Sequence, residues 1–393
     1  MKKLIFLGLL AIPLAYYLSP QWHSFDRMGE RRFRALNHRP KEILVGVCWP
    51  FSANQDGMAN GLELALEEIN RGGLAGGIPV RLDLRDDYFD WDTAKRIAMD
   101  FASNSKMSAV LGYYDDSEAV KAAAMFESSR LLNIMVGVNN TPMTARGYRY
   151  TVRTVLSSDK IARSLAKTSA DHGDKKVALI WEEGGFGEDL AYQYDVALSS
   201  TDAQVVYKWS YARERADFRL PVNELKGVDA DLIFFAGMEP WAGDFVRMAR
   251  QVGIKTKIVG AFSDTPEMRA RAGRAIEGSI YFDFYDANSP SPENRAFVGK
   301  YRARYGKTPD TWAAQGYDAL HILARAVRAT GSGNPLDLSY AIRYMDPWEG
   351  ANGRYQFNGQ GEMEDKLLYL YVYRNGEPVV LEESQPVPAP LVQ

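Results

Sequence analysis

The chain is poor in the residues that carry covalent and metal chemistry. Among its 393 residues there is one cysteine, Cys48, and there are four scattered histidines, His23, His38, His172 and His321. A lone cysteine cannot close an intrachain disulfide. No CxxC or HExxH spacing offers a zinc or haem-attachment site, so no metal or cofactor is expected. An excess of one charge is missing too. Lys and Arg number 47 against 50 Asp and Glu, a formal net charge of −3. Without a strongly basic domain to neutralise phosphates, nucleic acid is not an expected partner. Repeats and low-complexity stretches are absent, apart from an extended-looking tail from Ser384 to Pro390. No apolar run reaches the ~20 residues of an ordinary membrane span.

What is present is an ordinary globular composition. Hydrophobic residues make up 46% of the chain, enough to build a core and to exclude a disordered protein. The N-terminus stands apart. Met1-Lys2-Lys3 precedes an apolar run, Leu4 to Leu18, broken only by Gly8 and Pro13. A basic start and a short apolar stretch read as an export signal or as an uncleaved membrane anchor over residues 1–20. No A-x-A cleavage pattern follows, and no cysteine for lipidation. Arg27, Arg31, Arg32, Arg34, Arg39 and Lys41 come next, and positive charge there resists translocation. Residues 21–41 read as a polar linker.

From residue 42 the pattern alternates between strand and helix. Ile43 to Val47 is a short apolar strand. Met58, Leu62, Ala65 and Ile69 then recur at helical spacing until Gly72-Gly73. Further strands are expected at 80–84, 109–112 and 133–138, with Asp92 as a helix cap between the first two. The alternation restarts at 176–181 and continues through 205–209, 231–236 and 257–261. Three helices follow, at about 292–304, 311–329 and 336–345, and then tail strands near 354–358 and 367–374. Alternation of this length means α/β architecture, with two doubly wound, mainly parallel sheets covered on both faces.

In such sheets ligands bind beyond the carboxyl ends of the strands. The loops there combine aromatics with small polar groups, as a small-molecule cleft requires. Trp49 and Ser52 follow the first strand, Asp115, Asp116 and Ser117 the third, and Val138 and Asn140 the fourth. In the second half the corresponding residues are Phe186, Glu239 with Trp241, and Phe262 with Asp264. Plainer readings stand beside these. Asp115, Asp116, Ser117 and Asp264 all suit a helix N-cap. Trp49, Phe186 and Trp241 suit hinge packing. Glu182 and Glu183 suit solvated loop charges, and Cys48 suits a buried small hydrophobe. Gly184-Gly185-Phe186-Gly187 lacks the order of a phosphate-binding loop. No nucleophile–base pair emerges, so an enzyme is not expected.

Several blocks in order resemble the type I periplasmic binding proteins of the leucine/isoleucine/valine-binding class, which serve ABC importers. They are Leu62 to Gly73, Leu84-Arg85-Asp86-Asp87, Thr144 to Tyr148 with Arg153-Thr154, Phe186-Gly187-Glu188, Gln315 to Leu320, and Tyr355 to Asn358 with Gly361. The resemblance implies two lobes joined by three crossings. Lobe one would take 42–156 plus 285–348, lobe two 157–284 plus 349–380, with 381–393 a flexible tail. It also implies a non-enzymatic receptor facing the periplasm, whose closed form a membrane permease recognises. The alternative is a membrane-anchored sensor that acts with a separate signalling partner.

The family's amino-acid clamp maps only in part. Asp116 stands where a serine holds the ligand carboxylate, and Asn140 stands for a threonine. Phe186 replaces a tyrosine, a second tyrosine falls near Met238-Glu239, and Phe262 replaces the acid that accepts the ligand's ammonium. Two acids in lobe one repel a carboxylate. Beside Trp49, Tyr113, Tyr114 and Trp241 they favour a cationic or aromatic ligand.

Overall fold

The computed structural model describes residues 20–383 except 55, 239 and 365. Two sheets organise it. The first has the order β2-β1-β3-β4-β5, from β1 (Ile43–Trp49), β2 (Val80–Asp86), β3 (Met107–Gly112), β4 (Leu132–Met135) and β5 (Thr151–Arg153). All its pairings are parallel. The second has the order β14-β13-β10-β9-β8-β6-β7. Its strands are β6 (Lys176–Glu182), β7 (Gln204–Tyr211), β8 (Leu232–Ala236), β9 (Lys257–Gly260), β10 (Ile280–Asp283), β13 (Tyr369–Arg374) and β14 (Glu377–Glu383). There β13 and β14 run antiparallel, and the other strands parallel. A hairpin of β11 (Trp348–Gly350) and β12 (Gly353–Tyr355) lies between the last lobe-one helix and β13.

Burial follows position in the sheet. β1 and β8 are apolar throughout and wholly buried, as central strands covered by helices must be. β2 and β7 lie at sheet edges and are only partly covered, with β7 alternating between exposed and half-buried residues over most of its length. The helices Met58–Gly72 and Thr311–Thr330, far apart in sequence, pack closely in the first lobe. A Cβ at Gly61 would sit 2.0 Å from the Ala313 carbonyl oxygen, so only glycine allows that approach. The chain passes between the lobes after β5, after β10 and through the β11–β12 hairpin. Asp318 is buried beside this hairpin. It accepts the N–H groups of Ala351 (2.8 Å) and Asn352 (2.7 Å) and the Tyr355 hydroxyl (3.0 Å).

The sequence reading needs correction in several places. Residues 21–41 are not a linker, because Pro20–Leu36 is a helix packed on lobe one. Arg32 fastens it, fully buried among backbone carbonyls, while Phe25 and Leu36 pack inward. The tail is shorter than expected, since residues 381–383 complete β14 against β13. Residues 1–19 and 384–393, on which the expected signal or anchor and most of the expected flexible tail fall, lie outside the described residues. Asp90 rather than Asp92 caps its helix, accepting from the Thr93 N–H at 2.8 Å. β4 ends at Met135, and 136–138 leave the sheet. β5, β10 and the edge strand β14 had no sequence reading; the first two have only three and four residues, too few for a pattern to register. No helix among the described residues is long and apolar enough to cross a membrane.

Candidate functional site

Between the lobes lies a cleft of about 460 Å³, lined almost entirely by residues at or just beyond the carboxyl ends of strands. From lobe one come Tyr114 to Ser117 after β3, Gly137 and Asn139 after β4, and Thr311 and Trp312 at a helix start. Lobe two gives Glu182 to Gly187, Ala212 to Glu214, Gly237 and Met238, and Ala261 to Ser263. Phe282, Asp283 and Phe284 line it where the chain leaves β10.

Asp115 and Asp116 have separate roles. Asp115 is the cap of the helix Asp116–Ser128 and accepts from the Ser117 and Glu118 N–H groups, at 2.8 and 3.2 Å. Asp116 is buried. Its Oδ1 accepts the Asn139 N–H at 3.0 Å, while Oδ2 is buried with no hydrogen-bond partner. Burial pushes this carboxyl up to about 7, against the pull of the Asn139 N–H. Across the cleft Asp283 behaves similarly. It accepts from the Thr311 hydroxyl at 2.5 Å, and burial raises it to about 7.

Among the described residues, six acids line the cleft, Asp115, Asp116, Glu182, Glu183, Glu214 and Asp283, against one base, Arg213. That base is occupied. Arg213 donates to Glu182 through Nε at 2.8 Å and Nη2 at 2.5 Å. Its guanidinium carbon lies 5.3 Å from the centre of the Trp241 ring, and Asp115 is 3.8 Å away. Glu182 is therefore not a solvated loop charge, as expected from sequence; it is 4% exposed and ion-paired. Glu183 is exposed and accepts from Ser210 at 2.8 Å.

One wall is aromatic. Tyr114 and Trp312 meet edge to face at 5.2 Å. Trp49 stands behind both, also at 5.2 Å from each ring, and its indole N–H donates to Asp56 at 2.9 Å. Phe186, Phe262, Phe282 and Phe284 contribute from the other side.

Of the residues predicted from sequence, Asp115, Asp116, Ser117, Phe186 and Phe262 share this cleft. Trp49 is fully buried and supports its wall from behind. Trp241 covers Arg213. Val138 is buried in the lobe-one core. The carbonyl of Asn140 accepts from Arg153 at 2.7 Å, and its side chain does not reach the cleft lining. Ser52 is exposed and its N–H donates to Asp86 at 2.9 Å. Asp264 pairs with Arg269 at 2.7 Å, outside the cleft, and Thr265 is the cap of the following helix. Glu239 lies outside the described residues. Sequence reasoning missed Arg213, Asp283, Thr311 and Trp312. Arg213 sits in the loop after β7 and could have been found by treating that loop like the others. Asp283 ends the unread strand β10. Trp312 follows the Asp310 cap of its helix.

The lobes touch across the cleft. Asp189 of lobe two accepts the Thr141 N–H at 2.8 Å and its hydroxyl at 3.1 Å. The Ser117 hydroxyl is 3.1 Å from where a Cβ would stand on Gly185.

The profile of the family described as periplasmic binding protein matches residues 43–377. Leu/Ile/Val-binding protein homolog 1 of Brucella suis is 24% identical over 342 residues, 85% of this chain and 91% of its own length. An ABC transporter substrate-binding protein from Desulfitobacterium hafniense, solved in complex with Leu, superposes with a TM-score of 0.78 at 28% identity. It covers 86% of this chain and 100% of its own. A solute-binding protein of an ABC transporter from R. palustris, solved with benzoate, has a TM-score of 0.77 at 20% identity, covering 89% and 98%. These are binding proteins, in keeping with a two-lobed cleft that holds no nucleophile–base pair among its described residues. With a profile match over most of its length and the same two-lobed α/β fold, the chain belongs to the periplasmic binding protein family.

Proposed function

We propose that the chain is an extracytoplasmic solute receptor for a small organic cation with an aromatic or apolar body, such as an amine related to an amino acid. It captures the ligand between its lobes and presents it to the permease of an ABC importer. One observation carries the ligand class: a buried carboxylate oxygen of Asp116, without a partner, lies in an aromatic cleft whose single base among the described residues is committed to Glu182. An ammonium placed there supplies the missing donor and the charge that the site lacks. Tyr114 and Trp312 line the same cleft, and aromatic rings there favour a cation. The likeness to ABC substrate-binding proteins supports delivery to an importer.

A second reading rests on Arg213. It lines the cleft and an aromatic acid would draw it away from Glu182, as the benzoate complex of the R. palustris relative brings to mind. The two readings separate in one experiment. The chain is purified without refolding, its co-purified small molecule is identified by mass spectrometry, and calorimetry is run with that compound on the native chain and on Asp116→Asn and Arg213→Gln. An amine that needs Asp116 supports the first reading. A carboxylate that needs Arg213 and ignores Asp116 replaces it with the second.

A further inference from the structure

The helix Pro20–Leu36 is built into the end of lobe one that faces away from the cleft. Arg32 shows how. Its guanidinium is fully buried and donates to the carbonyls of Phe101 (3.2 Å), Ala102 (2.7 Å), Asn104 (3.0 Å), Met107 (3.1 Å) and Ser129. These carbonyls close the C-terminal ends of the helices Trp91–Ser103 and Asp116–Ser128 and begin β3. A cation at two helix C-termini meets orphan carbonyls and the negative ends of two dipoles at once. The cleft lies beyond the other end of β3, so this is the opposite pole of the lobe.

That pole is basic, although the chain as a whole is not. Arg27, Arg31 and Arg34 fall at helical spacing on the exposed side of the docked helix. Lys41, Lys106 and Arg149, all exposed, stand one or two residues before β1, β3 and β5 begin. Asp26, Glu30, Glu42, Asp100 and Glu127 are the acids among them; Glu30 is 3.9 Å from Arg34, and Glu127 accepts the Arg149 N–H at 3.0 Å. The apolar run Leu4 to Leu18 ends two residues before this helix starts. Exposed basic side chains held beside an apolar segment are attracted to anionic lipid by about 1 kcal/mol each near the surface.

We infer that lobe one rests by this pole on an anionic bilayer surface, with Pro20–Leu36 as a strut locked to the lobe by Arg32. The arginine row meets lipid phosphates. Among the described residues the strut packs on lobe one, against the helices Trp91–Ser103 and Asp116–Ser128, which leaves lobe two free to close over the cleft. This inference is independent of the ligand's chemistry.

The test uses the full chain in lipid nanodiscs, with a fluorophore on Ala35→Cys. Ala35 is exposed beside the row, and the native Cys48 is buried and will not label. Headgroup-attached quenchers should dim the dye strongly in discs containing phosphatidylglycerol and weakly in phosphatidylcholine alone. The triple variant R27Q/R31Q/R34Q should lose the difference while melting at the native temperature. If intact mass shows that residues 1–19 have been removed, flotation with phosphatidylglycerol vesicles replaces the discs. The native chain should then float in a salt-sensitive way, and the triple variant should bind about a hundredfold more weakly, at roughly fivefold per arginine. Quenching that ignores lipid charge, a triple variant that behaves like the native chain, or a processed chain that does not float overturns the inference. Ligand titration of the same samples reads the cleft separately, so a failure here leaves the receptor reading standing.

Discussion

Two buried charges in lobe one are treated in opposite ways. Arg32 is surrounded by five carbonyl acceptors, and burial lowers it only to about 10, so it stays ionised at neutral pH. Asp116 has one donor, the Asn139 N–H, and an oxygen with none. The first charge is satisfied within the fold and serves stability. The second is left short of a partner in a cleft, which costs stability and reserves the group for something that arrives later. Arg32 is satisfied at the far end of the lobe-one sheet, while Asp116 is short of a donor at the end that faces the cleft.

The largest effect should come from Asp116→Asn. The change keeps shape and an acceptor for the Asn139 N–H but removes the charge. Affinity for the cationic ligand should fall by roughly 2–5 kcal/mol, about thirty- to several-thousandfold in calorimetry. Melting temperature should hold or rise, because an unpaired buried charge has gone. Arg32→Met should do the reverse. It strands the carbonyls of two helix ends, and denaturant unfolding should show a loss of about 2–4 kcal/mol with ligand affinity intact. If either variant moved both quantities equally, the contrast between the two charges would collapse.

Acidity sharpens the comparison. The folded-state value of Asp116 near 7 lies above the ordinary carboxylate value of ~3.9. The ligand-free fold therefore holds a proton that the unfolded chain releases. The stability tied to this group is fully present below pH ~4 and is lost as pH rises toward 7. Ligand affinity runs the other way and should rise about tenfold between pH 6 and 8, since a cation selects the ionised form. Subtracting the Asp116→Asn profile isolates this group from Asp283 and Glu118, which burial also raises, to about 7 and about 8. Arg32 should add no slope in this window. The smallest effect belongs to the contact across the cleft. Thr141→Val removes the hydroxyl bond to Asp189, along with the acceptor of the Asp159 N–H, and should weaken closure by about 0.5–1.5 kcal/mol, seen as a slightly larger ligand-bound radius in solution scattering.

Much of this was legible in the residues. Alternation gave the two doubly wound lobes, because long apolar strands such as β1 and β8 and capped helices leave clear periods. The position of Asp115-Asp116-Ser117 beyond β3 followed from the rule for open sheets. What sequence could not assign was which acid does what. Asp115 and Asp116 are adjacent and chemically alike, yet one turns to cap the helix and the other turns under the Asn139 backbone. That choice is made by a loop 23 residues further along. Arg32 was hidden for the same reason. On a short arginine-rich stretch it looks like its neighbours Arg31 and Arg34, and only the meeting of two helix ends and a strand start singles it out. Asp264, a promising acid by position, is neutralised by Arg269 five residues on.

The central claim is that Asp116 receives a ligand cation. The most direct measurement is calorimetric titration at pH 7 with the identified amine and with its matched carboxylate, in two buffers of different ionisation enthalpy. The amine should bind and release about half a proton, because Asp116 is about half protonated before binding and ionised after it. The release should vanish in Asp116→Asn. Binding of the carboxylate in preference to the amine, with the same affinity in both proteins, would contradict the account.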